Sequence, residues 1–372
     1  MGTLAKFDKA IENDPYNAEN YNDRGNAKFE LGDYRGAIVD FDKAIEIAPD
    51  FAIVYNNRAA TKIALGEYGS AISDCGKAIE IETDNAGAYS IRGGAKIKLG
   101  NYNDAISDYN KAIEINAGYA EAYKNRGAAK YEIGDYEEAI EDYNRATEMD
   151  PENAGSYSIR GVAKAELGNY ESAIADYNKA IELNPTDSEN YFMRGGAKAR
   201  LGYFQEAIKD YTKSLEINPD DAIAYRIRGT TKSRLGDYKG AIEDYNKAIS
   251  IEPGDPDAYK TRGVIKAENN DYNGANEDYS KSIEIEPENA EAYSMRGVAK
   301  IKLGNFKDAI EDFNKAIDID PYHIKAYNNR GIAKYETGDK NSACSDWKIA
   351  GELGDLNAYE TLINQSFKKD NE

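Results

Sequence analysis

Residues 120–153 read AEAYKNRGAAKYEIGDYEEAIEDYNRATEMDPEN, and the pattern they set recurs along almost the whole chain. Tyr123, Arg126, Gly127 and Lys130 are spaced i, i+3, i+4, i+7 and share one helical face, where packing ordinarily calls for apolar groups rather than two cations. Gly134-Asp135 then supplies a left-handed C-cap glycine that stops this helix, and a second helix begins at once. Pro151 cannot continue that second helix and starts the next turn. The stretch is therefore expected to form a helical hairpin.

Counted from Ala18, this 34-residue unit recurs ten times and runs to Asn357. Its fourth place is always Tyr (Tyr21 to Tyr327), its seventh always Arg (Arg24 to Arg330), and its eleventh always Lys (Lys28 to Lys334). The twentieth is always Ala and the twenty-third always Asp. In the second helix of the first copy, Ala37, Ile38, Phe41, Ala44 and Ile45 fall at helical spacing, with small alanines that let helices approach closely. A period of this length marks a stacked-repeat architecture, in which each unit buries its apolar face only against its neighbours.

These residues resemble the tetratricopeptide repeat, in the subtype Y-x-x-R-G-x-A-K-x-x-L-G-D-Y-x-x-A-I-x-D-Y-N-K-A-I. The resemblance implies an all-α fold, a right-handed superhelical solenoid of antiparallel helix hairpins. It also implies that the first helices line a groove holding peptides or partner proteins. Three segments are expected: 1–17, a partial repeat consisting of a second helix alone; 18–357, the ten repeats; and 358–372, a capping helix and tail with Tyr359, Leu362, Ile363 and Phe367 on one face. A start half-way through a repeat points to a chain continued upstream in its natural form.

The cations on the packing face have a geometric explanation. Arg24 and Asp40 are equidistant from the turn at Gly32, as Arg126 and Asp142 are from Gly134, so an antiparallel hairpin brings each pair together. A half-buried guanidinium is tolerable when a carboxylate takes its fork, and every repeat offers one Asp per Arg. A group repeated ten times marks a lattice rather than a single site, so these arginines are expected to be structural. The tyrosines at recurring places are likewise expected to be core.

Recognition is then expected where repeats differ, on a second face of the first helix. In repeats one, two and ten this region offers Asn22, Asn26, Asn56, Asn57, Asn328 and Asn329, whose amides suit an extended peptide backbone. Repeats six to eight contribute Phe192, Arg200, Arg226, Arg234 and Lys260, a basic cluster with one aromatic member. An acidic or phosphorylated partner segment fits that cluster, and a solvated face of ordinary charges is the alternative. Ile63, Ile97, Ala165, Ala199, Ile301 and Tyr335 offer apolar lining or internal packing. The carboxylate clamp of some relatives needs a set pattern of Lys, Asn and Arg, and here Lys124 is followed a turn later by Ala128. That clamp is not expected.

A formal net charge of −20 over 372 residues opposes nucleic-acid binding, which rests on cations displacing counterions. No apolar run is long enough to span a membrane, and the first residues form no secretion leader. This points to the cytoplasm, or to the periplasm or a membrane anchor if an upstream segment exists. Cys75 and Cys344 match neither a disulfide framework nor a zinc spacing. The single histidine, His323, lacks a nucleophile or second metal ligand nearby in sequence, and no phosphate-cradling glycine loop follows a strand. No cofactor and no catalysis are expected. The function expected is a protein-interaction scaffold or adaptor, with a self-associating structural subunit, and hence a homo-oligomer, as the alternative.

Overall fold

The computed structural model describes residues 3–355, which form twenty-one α-helices in chain order and, among these residues, no strand. The expected capping helix and tail at 358–372 lie outside the described residues. Two compact blocks divide between Thr186 and Asp187, and each is a stack of antiparallel helical hairpins. Helices are numbered along the chain, so even numbers are the first helices of repeats and odd numbers the second. In the first block α1 (Thr3–Asn13) packs on α2 (Ala18–Glu30), and α2 pairs with α3 (Tyr34–Ile47). The hairpin of residues 120–153 is α8 (Ala120–Glu132) and α9 (Tyr136–Met149).

Helix ends follow from local chemistry. Gly134 sits at φ 86°, its N–H donating to Tyr131 O at 3.0 Å while Asp135 N–H donates to Lys130 O at 3.0 Å. These two bonds satisfy carbonyls that the helix end would otherwise leave open, and they need a residue at ease in the left-handed region. Glycine takes this place in every repeat but the eighth, where Asn270 holds φ 62°. Starts are capped by side chains such as Asp33, whose carboxylate accepts from Gly36 N–H at 2.9 Å.

Hairpins close by setting a ring on a glycine. A Cβ at Gly127 would lie 2.7 Å from Tyr143 Cε1, and one at Gly161 would lie 2.8 Å from Tyr177 Cε1. In the second repeat the sizes are exchanged: Ala59 stands in the glycine's place and Cys75 in the ring's, both fully buried. Burial pushes the Cys75 thiol up to about 12, so it behaves as a small apolar group.

The ladder of cations has four kinds of contact. Arg24 donates from Nε to Asp40 Oδ2 at 2.9 Å and from Nη2 to Asp40 Oδ1 at 2.6 Å, and Asp40 is 2% exposed. Lys28 Nζ reaches the same carboxylate at 2.7 Å, which answers what the eleventh-place lysines do. The Arg24 guanidinium also lies over the Tyr21 ring, 5.7 Å from its centre. Its remaining nitrogen, Nη1, donates to Asp8 of α1 at 2.9 Å. The hydrogen bond to Asp40 drives the Arg24 pKa further above its ordinary value.

That fourth link crosses from one hairpin to the preceding one and recurs with varying acceptors. Arg58 Nη1 meets Asp42, Arg126 meets Asn110, Arg228 meets Thr212 and Arg296 meets Ser280, each sixteen residues upstream. Each such arginine therefore holds its own hairpin shut and ties it to its neighbour. At Arg92 the corresponding upstream place is Gly76, which has no side chain to offer.

Candidate partner-binding face

Several consecutive first helices touch within a block, among them Pro256–Glu268 with Ala290–Lys302 and Ala290–Lys302 with Ile324–Glu336, so that the first helices form a layer. In the second block this layer includes α12 (Ser188–Arg200), α14 (Ala222–Arg234), α16 (Pro256–Glu268), α18 (Ala290–Lys302) and α20 (Ile324–Glu336). The second helices α13 (Phe204–Ile217) and α17 (Tyr272–Ile285) pack on α12 and α16 respectively.

Between α12 and α14 lies a cavity of about 390 Å³. Phe192, Ala199 and Ile227 give it apolar walls, Tyr211 backs it, and a Cβ at Gly196 would meet nothing within 4 Å. Arg200 and Arg234 line it and are both exposed. Neither forms an ion pair among the described residues; the Arg234 guanidinium rests over the Phe204 ring, 5.9 Å from its centre. Burial pushes the Tyr211 hydroxyl up to about 12, an effect the two arginines partly oppose.

The other two members of the expected basic cluster are committed elsewhere. Arg226 Nη1 donates to Asp255 at 2.6 Å, and Asp255 in turn caps α16 by accepting from Asp257 and Ala258 N–H. Lys260 donates to Asp257 at 2.5 Å, one turn back on the same helix. Charge spacing alone does not show the partner of Arg226, because that acceptor sits at the start of the next first helix. Phe192, Arg200 and Arg234 share one cavity, which Arg226 and Lys260 do not line.

Several asparagines are engaged in the same way. Asn57 donates to buried Asn22 at 2.8 Å, Asn56 to the capping residue Asn85 at 3.0 Å, and Asn328 to Asp355 at 2.7 Å. The first of these amides joins the second repeat to the first, and the second reaches the cap of the third repeat's first helix. Asn26 is half-buried, and Asn329 borders a second cavity. Ile63, Ile97, Ile301 and Tyr335 pack against buried clusters within the stack, and Ala165 is half-buried on α10 (Ala154–Glu166). His323 is buried with Nε2 3.3 Å from Glu291 Oε2, and no group of metal-ligating side chains occurs among the described residues. No described helix is long and apolar enough to cross a membrane.

The second cavity, also about 390 Å³, lies along α16, α18 and α20 and was not legible in the list of variable charges. Its signal is a missing side chain. At the twelfth place the first, fourth and tenth repeats carry Phe29, Tyr131 and Tyr335, and Tyr131 leans on Tyr136 with ring centres 5.1 Å apart. The sixth and eighth repeats carry Ala199 and Ala267 there, and each borders one of the two cavities.

Comparison with known sequences agrees with the repeat geometry. Models described as tetratricopeptide repeat match residues 120–153, 154–187, 290–323, 188–221, 6–39 and 52–85, and one described as TPR repeat matches 25–62, 93–134, 232–269 and 263–304. The chain belongs to the tetratricopeptide-repeat family. Among solved structures, the C-terminal part of a TPR repeat-containing protein from Cytophaga hutchinsonii is 22% identical, with a TM-score of 0.56 over 64% of this chain and 98% of that one. A tetratricopeptide repeat protein from Parabacteroides merdae is 21% identical, with a TM-score of 0.48 over 65% of this chain and 97% of its own. YrrB, titled a TPR protein with an unusual peptide-binding site, is 26% identical, with a TM-score of 0.45 over 50% and 96%. No curated protein matches at a significant level. Membership in the tetratricopeptide-repeat family makes this chain a protein-interaction scaffold in general terms.

Proposed function

We propose that this scaffold is a non-catalytic adaptor that holds an acidic segment of a partner protein against the first-helix layer, with Arg200 and Arg234 as its anchors. The observation that carries the reading is the pair of exposed guanidinium groups on one cavity without carboxylate partners among the described residues, in a chain whose ladder arginines are paired. Net charge of −20 repels acidic ligands in general, so two uncompensated forks on an apolar recess form a local exception. A guanidinium offers a carboxylate or phosphate two parallel hydrogen bonds, and the Phe192 and Ile227 walls beside it reduce competition from water.

The test uses a blocked peptide of aspartate and glutamate titrated into the full chain by fluorescence anisotropy. The Arg200→Glu/Arg234→Glu variant is expected to lose affinity by roughly tenfold or more while its circular dichroism and melting temperature stay at the parent values. Unchanged affinity removes these arginines from the site. Arg226 is left intact because reversing it breaks its bond to the α16 cap. Light scattering across a dilution series separates an adaptor, of constant mass, from a self-associating subunit, whose mass rises with concentration.

A further inference from the structure

The two cavities are equivalent in the repeat frame. Gly196, Ala199, Tyr211, Ile227, Thr230 and Arg234 around the first correspond to Val264, Ala267, Tyr279, Met295, Val298 and Lys302 around the second, each pair 68 residues apart. The same recess therefore opens at both places, two repeats apart, each beside an alanine at the twelfth place. The second copy is the more apolar, since Val264 and Val298 stand where the first has glycine and threonine.

The mouth carries two carboxylates, Glu268 and Glu291, and two ammonium groups, Lys302 and Lys325. Glu268 accepts from the Ser233 hydroxyl at 3.3 Å, and Glu291 faces His323 at 3.3 Å. Lys302 and Lys325 are exposed and form no ion pair among the described residues. An apolar recess with free ammonium groups at its edge complements a bulky apolar side chain set among carboxylates.

We propose that the cavity along α16, α18 and α20 is a socket for one bulky aliphatic or aromatic side chain of an acidic partner segment, whose flanking carboxylates meet Lys302 and Lys325. This rests on the reading of the first-helix layer as the partner surface and names the second feature the partner carries. Its volume of about 390 Å³ admits a leucine or phenylalanine side chain with its approach. Withdrawing such a side chain from water favours binding by roughly tenfold or more.

The probes are two N-acetylated, C-amidated dodecapeptides of aspartate and glutamate, one with a central leucine and one with alanine instead. The protein carries ¹³C-methyl methionine; the Met295 resonance is identified by its loss in Met295→Leu, and Met149 on α9 is the internal control. The leucine peptide is expected to bind roughly tenfold tighter than its twin and to shift Met295 but not Met149. Ala267→Tyr and Ala267→Ile fill the socket with residues this place already holds at Tyr131 and Ile63, so the fold is retained while the leucine preference and the Met295 shift vanish. Arg200→Glu/Arg234→Glu is expected to weaken both peptides alike and keep the preference. Equal affinity of the twins, no binding of the leucine peptide, or a preference surviving in both filled variants overturns the socket. A leucine preference that vanishes on filling, with affinity indifferent to the arginine reversal, upholds the socket and overturns the arginine anchors.

Discussion

At the scale of single residues, packing in this chain is decided by pairs whose sizes sum. Gly127 lies under the Tyr143 ring, whereas Ala59 is accommodated because Cys75 replaces the ring. Helix propensity favours alanine over glycine by about 1 kcal/mol. A Cβ at Gly127 meets both the ring at 2.7 Å and the Ala139 carbonyl at 3.2 Å, so overpacking wins and Gly127→Ala is expected to destabilise. Urea unfolding measures this. In the second repeat, Cys75→Tyr alone is expected to destabilise and Cys75→Tyr/Ala59→Gly to recover most of the loss; additive effects in that double-mutant cycle contradict the size-exchange account. The recurring glycine is plain in the sequence, but its cause is not, because the ring it serves lies sixteen residues on in the other helix.

At the scale of helices and turns, two departures from the repeat are expected to be improvable. Asn270 holds φ 62°, where glycine carries no steric cost. Asn270→Gly is accordingly expected to raise the melting temperature, by about 0.5–1 kcal/mol of stability, and a lowered melting temperature contradicts it. Gly76 stands in α5 (Tyr68–Ile81) at the place that supplies the cross-hairpin acceptor elsewhere, and a Cβ there has open space. Gly76→Asn is expected to give Arg92 Nη1 a partner and to stabilise by about 1 kcal/mol through propensity and the new hydrogen bond. An Arg92→Lys background that leaves the gain unchanged would show that propensity alone acts. The hairpins were legible from period, turn glycine and equidistant Arg and Asp. The ties between hairpins were not, since the acceptors of Arg58, Arg126, Arg228 and Arg296 are Asp, Asn, Thr and Ser in turn. These share only an oxygen at the right height, so no constant residue marks the place.

At the scale of the whole molecule, constant residues build the stack and departures from them shape its surface. The fold was legible because ten copies repeat one solution. The candidate site was legible in part: variable charges pointed to Arg200 and Arg234, but Arg226 and Lys260 are taken by the carboxylates around the α16 cap. Each cavity lies beside an alanine, Ala199 or Ala267, which charge patterns do not register. Helix α14 holds both classes of arginine on one scaffold. Arg228 meets Asp244 at 2.9 and 2.6 Å, with Asp244 3% exposed, while Arg234 is exposed and without an ion pair among the described residues. The most direct measurement is urea denaturation of Arg228→Met beside Arg234→Met. Loss of Arg228 leaves a buried carboxylate short of its fork and is expected to cost about 3 kcal/mol, seen as a lowered midpoint. Loss of Arg234 is expected to change stability by less than about 0.5 kcal/mol. Midpoints lowered equally, or an Arg228→Met protein as stable as the parent, contradict the division between building and binding residues.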